Sequence, residues 1–281
     1  MKILITGVES NLGKYIESYF AQNNQVFAFT RQILDISKKD LTYKTITSVS
    51  PDIVIHLDSQ DNIDTCEMDE SSAYTQNTIG TLNVAYPCSI LNIPIIYLST
   101  SYVYSNNCKC SNFETDECNP VNIYGKTKLA GEKLIRTLCK KYFILRAGWL
   151  FGYDDCFVNK IINNRNFSIF VCSTEIGNPT YCKDFCDAIK EMLHSDLYGI
   201  YNCCNPPSIS KSLWIKEIFS LAQIERTILE LPENFISNTA KRPQNSSLNT
   251  SLIKNCFNID FPSSDVRLLE YMNKKGYILK E

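Results

Sequence analysis

The first half of the chain alternates short β-branched runs with helical stretches, and few folds accept that rhythm. Lys2–Thr6 reads as a buried strand ending at a glycine, with a helix over Lys14–Gln22 after it. Asn24–Phe29 and Asp52–Leu57, the second announced by Pro51, read as strands around a weaker helix at Leu41–Ser48. Ser71–Leu91 is a long helical stretch in which Pro87 is expected to kink or end the helix. Ile95–Ser99 and Tyr142–Arg146 read as strands flanking a helix over Tyr124–Cys139. Strands separated by helices imply right-handed βαβ crossovers. The expected fold class is therefore α/β, a Rossmann-type doubly wound parallel sheet whose ligand crevice lies beyond the carboxyl ends of the strands.

After about Ala147 the rhythm loosens. Asn205–Ser210 and Leu231–Ser247 are rich in Pro, Asn and Ser and read as loops, with an amphipathic helix over Ser212–Leu221 between them. This predicts two lobes. Residues 1–146 plus about 168–206 form a nucleotide-binding domain, and about 147–167 plus 207–281 form a smaller, mainly C-terminal substrate lobe.

The first strand runs into Thr6-Gly7-Val8-Glu9-Ser10-Asn11-Leu12-Gly13. Gly7 can make the tight turn, Gly13 lets the helix pack closely, and the amides at the helix start point at a pyrophosphate. The middle glycine of G-x-x-G-x-x-G is replaced by Ser10, the smallest substitute with a hydroxyl. Strand two ends in Phe29-Thr30-Arg31 without an acid to hold a ribose 2′-hydroxyl. A cation there suits a 2′-phosphate, so NADPH is favoured over NADH, with Arg31 and Thr30 on the phosphate. Asp35-Ile36 is a candidate contact for the adenine.

Strand Ile95–Ser99 leads into Thr100, and Tyr124-Gly125-Lys126-Thr127-Lys128 follows 24 residues later. Positions i and i+4 share a helix face, so Tyr124 and Lys128 offer a phenol and an ammonium to one space. A free phenol has a pKa near 10, and a neighbouring cation is expected to lower it. With the Thr100 hydroxyl on the same substrate oxygen, the trio suits ketone reduction, Tyr124 protonating the oxygen as hydride reaches the carbon. The alternative is a surface helix with an incidental Tyr and Lys.

Other function classes find little support. Net charge is −2 and pI about 5.8, which gives no footprint for nucleic acid or anionic membrane. No apolar run reaches the roughly 18 residues of a membrane span, and the N-terminal apolar run is too short for a signal peptide, so a cytoplasmic location is expected. The 13 cysteines are scattered and read as reduced, mostly buried small hydrophobes, Cys182 and Cys186 included. Cys108, Cys110 and Cys118 are the tightest group, but they lack the paired spacing of a zinc site, and no metal is expected.

Taken in order, several segments resemble the extended short-chain dehydrogenase/reductases, specifically the dTDP-4-dehydrorhamnose reductase family. They are LITGVESNLG (4–13), LDI (34–36), PDIVIH (51–56), Asn77 with Gly80 and Asn83, LSTSYVY (98–104), NPVNIYGKTKLAGE (119–132), LRAGWLFG (145–152), IGNPT (176–180) and KRP (241–243). The resemblance implies NADPH-dependent reduction of a nucleoside-diphosphate 4-keto-6-deoxyhexose in polysaccharide biosynthesis. It implies Thr100, Tyr124 and Lys128 as catalytic residues, with Leu57 and Ser59 beside the cofactor. Tyr102 and Trp149 are then expected around the sugar with Asp61 and Ser101, and Arg242 near the nucleotide end; Trp149 as a plain core aromatic is the alternative. A second copy of the chain is the one protein partner left open.

The sequence also departs from the family pattern. Ser101 stands where the family has Asp, and Asp58-Ser59-Gln60-Asp61 replaces an alanine-rich run. Ala147-Gly148 precedes Trp149 in place of Thr-x, and Thr174-Glu175 replaces Asp-Gln. These changes suggest a variant sugar, such as an N-acetylated UDP-4-keto-6-deoxyhexose. A non-catalytic NADP-binding regulatory subunit, like that of methionine adenosyltransferase, is the alternative function.

Overall fold

The computed structural model describes residues 1–105, 110–232, 235 and 239–278. Six strands form one parallel sheet: β1 (Lys2–Thr6), β2 (Gln25–Phe29), β3 (Ile53–His56), β4 (Ile95–Thr100), β5 (Tyr142–Ala147) and β6 (Gly199–Cys203). Their order across the sheet is β6-β5-β4-β3-β1-β2. The expected doubly wound sheet is thus present.

Alternate residues of each strand feed two separate cores. Ile3, Ile5, Ile53 and Ile55 face Ile16 and Phe20 of helix α1 (Asn11–Ala21) and Phe185 and Ile189 of helix Cys182–Met192. Leu4, Val54, Ile95 and Tyr97 face Ile46, Val84 and Ile135 on the other side. A sheet buried on both faces needs apolar side chains at every strand position, which is why these strands read as continuous hydrophobic runs. Each fully buried Ile or Leu contributes about 1.5–3 kcal/mol relative to exposure.

The chain leaves β1 for β2 on one side and reaches β3 on the other, so β1 and β3 flank the topological switch point. Thr6 lies opposite His56 there, and their carboxyl ends open on the crevice.

The long stretch before β4 departs from expectation. It divides into Glu70–Tyr74, a π-helical turn over Thr75–Ile79, and helix Gly80–Leu91, which runs straight through Pro87. Proline forfeits one bond to the carbonyl four residues back. Burial of Val84, Ala85 and Cys88 holds the turn against that loss. The extra residue of the π-turn aims Asn77 inward, a use common to such bulges at functional sites.

A third core gathers Phe151, Val171, Trp214, Ile218, Phe219, Leu268 and Met272 in a lobe beside the crevice. Strand Ser168–Cys172, assigned from sequence to the sheet domain, pairs in parallel with Thr227–Leu231 and not with the central sheet. Helix Ser251–Phe257, assigned to the lobe, instead packs on β6 and buries Ile253 in the sheet core that also holds Ile16 and Phe20. Among the described residues, no helix is long and apolar enough to cross a membrane.

Candidate active site

Gly7 has φ +79°, a left-handed backbone that disfavours side chains. A Cβ there would stand 2.6 Å from the Asp58 Cα and N, and one on Gly13 would stand 2.4 Å from the Gly7 carbonyl oxygen. The turn is therefore packed against the loop after β3, with no room for larger residues. Ser10 serves helix α1 as N-cap: its Oγ accepts from the Gly13 N–H at 2.9 Å. That capping bond is what replaces the missing glycine, and it leaves the other first-turn amides free for an anion. Gly7→Ala is expected to destabilise the protein by about 1–3 kcal/mol and to abolish nucleotide binding, read by thermal unfolding with and without NADPH.

Beyond this turn lies a cavity of 330 Å³, lined by Gly7, Ser10, Leu12, Arg31, Leu57, Asp58, Ser59, Asp61, Thr100, Tyr124 and Lys128 among others. The Arg31 Nη2 donates to Asp58 Oδ1 at 2.7 Å and to the Ser59 carbonyl at 3.3 Å, while Glu9 lies 3.8 Å from its Nε. Asp58 is buried, also accepts from Gln76 Nε2 at 3.0 Å, and keeps its Oδ2 buried without a partner. Burial pushes its pKa up against the pull of Arg31. Five other sequence-selected positions stand back from the cavity lining. Gly13 packs the helix, Asn11 borders a separate small cavity, and the Thr30 carbonyl closes a turn by accepting from Ile33 and Leu34. Asp35 accepts from the Ser37 N–H at 3.0 Å. Ile36 is fully buried in the core, in contact range of Gly80.

The central trio is assembled. Thr100 ends β4, and Tyr124 and Lys128 project from helix Ile123–Leu138, which is capped by Asn122 Oδ1 accepting from Gly125 N–H at 2.8 Å. Thr100 and Tyr124 line the same two cavities, and the Thr100 Oγ1 accepts from the Tyr102 N–H at 3.1 Å. Asn77 fixes the surroundings: its Oδ1 accepts from Gln60 N–H at 2.7 Å, and its Nδ2 donates to the Gln60 carbonyl and to Thr127 Oγ1. Burial and then the Asp61 carboxylate push the Tyr124 phenol well above its ordinary value, while the neighbouring Thr100 hydroxyl pulls it down. The expected lowering is thus reversed, because removing the phenol from water and placing Asp61 near it dominate. The phenol is held protonated, the form that can donate.

Lys128 is buried, with Nζ 4.1 Å from the centroid of the Tyr97 ring. Burial brings its pKa down to about 7, against the opposing pull of Glu132 and Asp61. Its folded pKa lies below the unfolded value of 10.5, so the native state binds fewer protons between pH 7 and 10.5. The penalty is therefore complete below pH 7 and fades as pH rises toward 10.5. Lys128→Met is expected to gain stability at pH 6, by about 2–4 kcal/mol, and to lose most of that gain by pH 10. Unfolding measured at both pH values checks the sign.

Behind the trio, Glu132 accepts from Arg146 through both oxygens, at 3.0 and 2.7 Å, and also from Ser99 Oγ. Arg146 in turn donates to the Tyr104 hydroxyl and the Glu114 carbonyl. This buried ion pair ties β4, β5 and the Tyr124 helix together. Sequence reading missed it.

A second cavity, of 420 Å³, adjoins the first. Asp61, Thr100, Tyr124, Gly148, Leu150 and Tyr153 line both, whereas Lys128 lines only the first and Ser101, Tyr102, Trp149, Phe157 and Lys211 only the second. Tyr102 is buried and donates to Glu175 Oε1 at 3.0 Å. Trp149 stacks on Trp214 at 5.6 Å, so it is both cavity wall and core aromatic. Arg242 stands outside the lining, paired with both Asp64 oxygens at 3.1 and 2.7 Å. Tyr153 escaped sequence reading: among 16 tyrosines nothing local marks it. Cys110 is exposed, Cys118 half-buried, and Cys108 lies outside the described residues. Most of the other described cysteines are buried, including Cys182 and Cys186.

Comparison with known proteins agrees with this geometry. A family model described as RmlD substrate binding domain matches residues 1–276. The chain is 32% identical over 287 residues to the dTDP-4-dehydrorhamnose reductase of Aggregatibacter actinomycetemcomitans, covering 96% of this chain and 97% of that one. The crystal structure of a dTDP-4-dehydrorhamnose reductase from Clostridium acetobutylicum superposes with TM-score 0.93 at 30% identity, covering 98% of this chain and 100% of its own. That of Bacillus anthracis, solved in complex with NADP, gives TM-score 0.92 at 30% identity, covering 97% and 99%.

Proposed function

The chain belongs to the dTDP-4-dehydrorhamnose reductase family, and from that premise we propose that it reduces the 4-keto group of a nucleoside-diphosphate 4-keto-6-deoxyhexose. The family is one of NADPH-dependent oxidoreductases acting on a sugar-nucleotide ketone. The observation that carries the reading is the sharing of residues between the cavities. Thr100 and Tyr124 line both, and Lys128 lines only the one running from the Gly7 turn. A proton donor at that junction reaches a ketone entering from one side and a reductant entering from the other.

The residues present fit the cofactor. The turn of Gly7 and Gly13 leaves no room for a Cβ, and the capped start of α1 offers amides to a pyrophosphate. Ser59 and Leu57 line the same cavity and would border a bound ribose, and Arg31, held by Asp58, is the cation that would meet a 2′-phosphate. NADPH supplies a hydride when bound. The chain's own groups handle the proton: Tyr124 donates to the ketone oxygen as it gains charge, and Thr100 hydrogen-bonds the same oxygen. Lys128, on the cofactor side, favours the phenolate left behind. In this reading the C-terminal lobe carries the sugar nucleotide, with Tyr102, Ser101, Trp149 and Asp61 around the sugar and Arg242 towards the nucleotide.

The test is NADPH oxidation with dTDP-4-dehydrorhamnose and with UDP-linked, N-acetylated 4-keto sugars. Turnover of at least one supports the reading, and tight NADPH binding without turnover of any ketone favours a regulatory subunit. Arg31→Ala is expected to weaken NADPH binding about tenfold or more while sparing NADH. Equal affinities before and after substitution remove Arg31 from the 2′-phosphate site.

A further inference from the structure

Lys211 is a group of the sugar-side cavity whose position carries an unexplained cost. Short strands Ile176–Gly177 and Ile209–Ser210 pair antiparallel, and the Lys211 N–H donates to the Glu175 carbonyl at 2.9 Å. This register sets the Lys211 and Glu175 side chains beside each other, Lys211 in the cavity wall and the buried Glu175 behind it, bonded to the wall residue Tyr102. The ammonium lies 3.6 Å from the Trp149 ring centroid and 4.6 Å from that of Phe157. Its carboxylate neighbour, Glu175 Oε1, is 3.7 Å away, outside hydrogen-bond range, and that oxygen already accepts from Tyr102. Burial lowers the Lys211 pKa. The residue also opens helix Lys211–Leu221, where the helix dipole disfavours a cation. A methionine would cover the same rings without either penalty.

We propose that Lys211, its charge balanced from behind by Glu175, forms a specificity subsite for a ring hydroxyl of the substrate sugar, the ammonium donating to the hydroxyl oxygen. This rests on the proposed sugar-nucleotide reading and deepens it. An isolated lysine would call for a carboxylate or phosphate. Glu175, 3.7 Å behind it, offsets that charge, so the site favours a neutral acceptor such as a hydroxyl oxygen.

Both tryptophans of the chain, Trp149 and Trp214, stack at this wall, so intrinsic emission reads the cavity directly. Wild type and Lys211→Met are titrated with dTDP-glucose, which has hydroxyls and no ketone to reduce, and with dTDP alone. The expected result is a loss of about tenfold or more for dTDP-glucose, the worth of a hydrogen bond to a charged group, with dTDP affinity held within about twofold. Unchanged NADPH affinity certifies that the variant is folded. Equal losses for both ligands, or no loss for either, overturn the subsite while leaving the reductase reading intact. Wild-type protein that binds neither these ligands nor UDP-glucose or UDP overturns both.

Discussion

Tyr124→Phe is expected to lower kcat by about 10²–10⁴-fold while leaving NADPH affinity within about twofold, the range attributed to a positioned general acid. Tyr124 and Thr100 line both cavities, and the phenol is held protonated by burial and by Asp61. Removing one hydroxyl deletes the proton donor without disturbing the ring or its edge-on contact with Tyr102 at 6.4 Å. KM is expected to change little, because a proton delivered as charge develops stabilises the transition state more than the bound ketone. Thr100→Val is expected to follow the same pattern with a smaller loss, since its hydroxyl orients and does not give up its proton. Steady-state NADPH oxidation and cofactor titration of both variants check this. Loss of cofactor binding in Tyr124→Phe would instead point to a structural role for the phenol.

The second large effect concerns stability. Arg146→Met is expected to cost about 3–5 kcal/mol, because it leaves the Glu132 carboxylate buried without its bidentate partner. Ser99 Oγ and water cannot replace a guanidinium at a site this enclosed. For a chain of this size the loss corresponds to a fall in Tm of roughly 6–20 °C. The double variant Glu132→Leu/Arg146→Met removes both charges and is expected to regain much of the loss, since the desolvation cost disappears with the attraction. Thermal unfolding of the three proteins tests this. A single variant as stable as wild type would show that water reaches the pair.

The two variants probe different layers of one arrangement. Glu132 is one turn beyond Lys128 on the helix that bears Tyr124, and Arg146 is on β5 opposite Ser99, the residue before Thr100. The ion pair therefore holds in register the elements that carry the trio, and its loss is expected to lower activity through position before the protein unfolds.

Much of this was legible in the sequence for specific reasons. Four of the five strands of the first half, β1, β3, β4 and β5, are buried on both faces, so they stand out as apolar runs between helices. The Gly7 turn and the Tyr124/Lys128 spacing are local, and local spacing survives in sequence. Features set by tertiary packing were not legible. Pro87 was read as a helix breaker, yet core contacts carry the helix through it. The Tyr124 pKa was expected to fall beside a lysine, but burial dominates. Arg31 looked like a free cation, and Asp58, 27 positions later, binds it. Glu175 and Lys211 meet through two strands of two residues each, which are too short to leave any periodic signal. Pairing of Ser168–Cys172 with Thr227–Leu231 likewise depends on which edge a strand finds, and apolar pattern alone does not say.

The central claim is that a ketone carbon meets the reductant where Thr100 and Tyr124 border both cavities. It is tested most directly by incubating the protein with NADPH deuterated at the transferable C4 position and dTDP-4-dehydrorhamnose, or a UDP-linked 4-keto analogue, and analysing the sugar by mass spectrometry and NMR. The account predicts one deuterium, at C4 of the sugar, in step with cofactor oxidised. Cofactor bound and sugar bound, with no label transferred to any of these ketones, would contradict it.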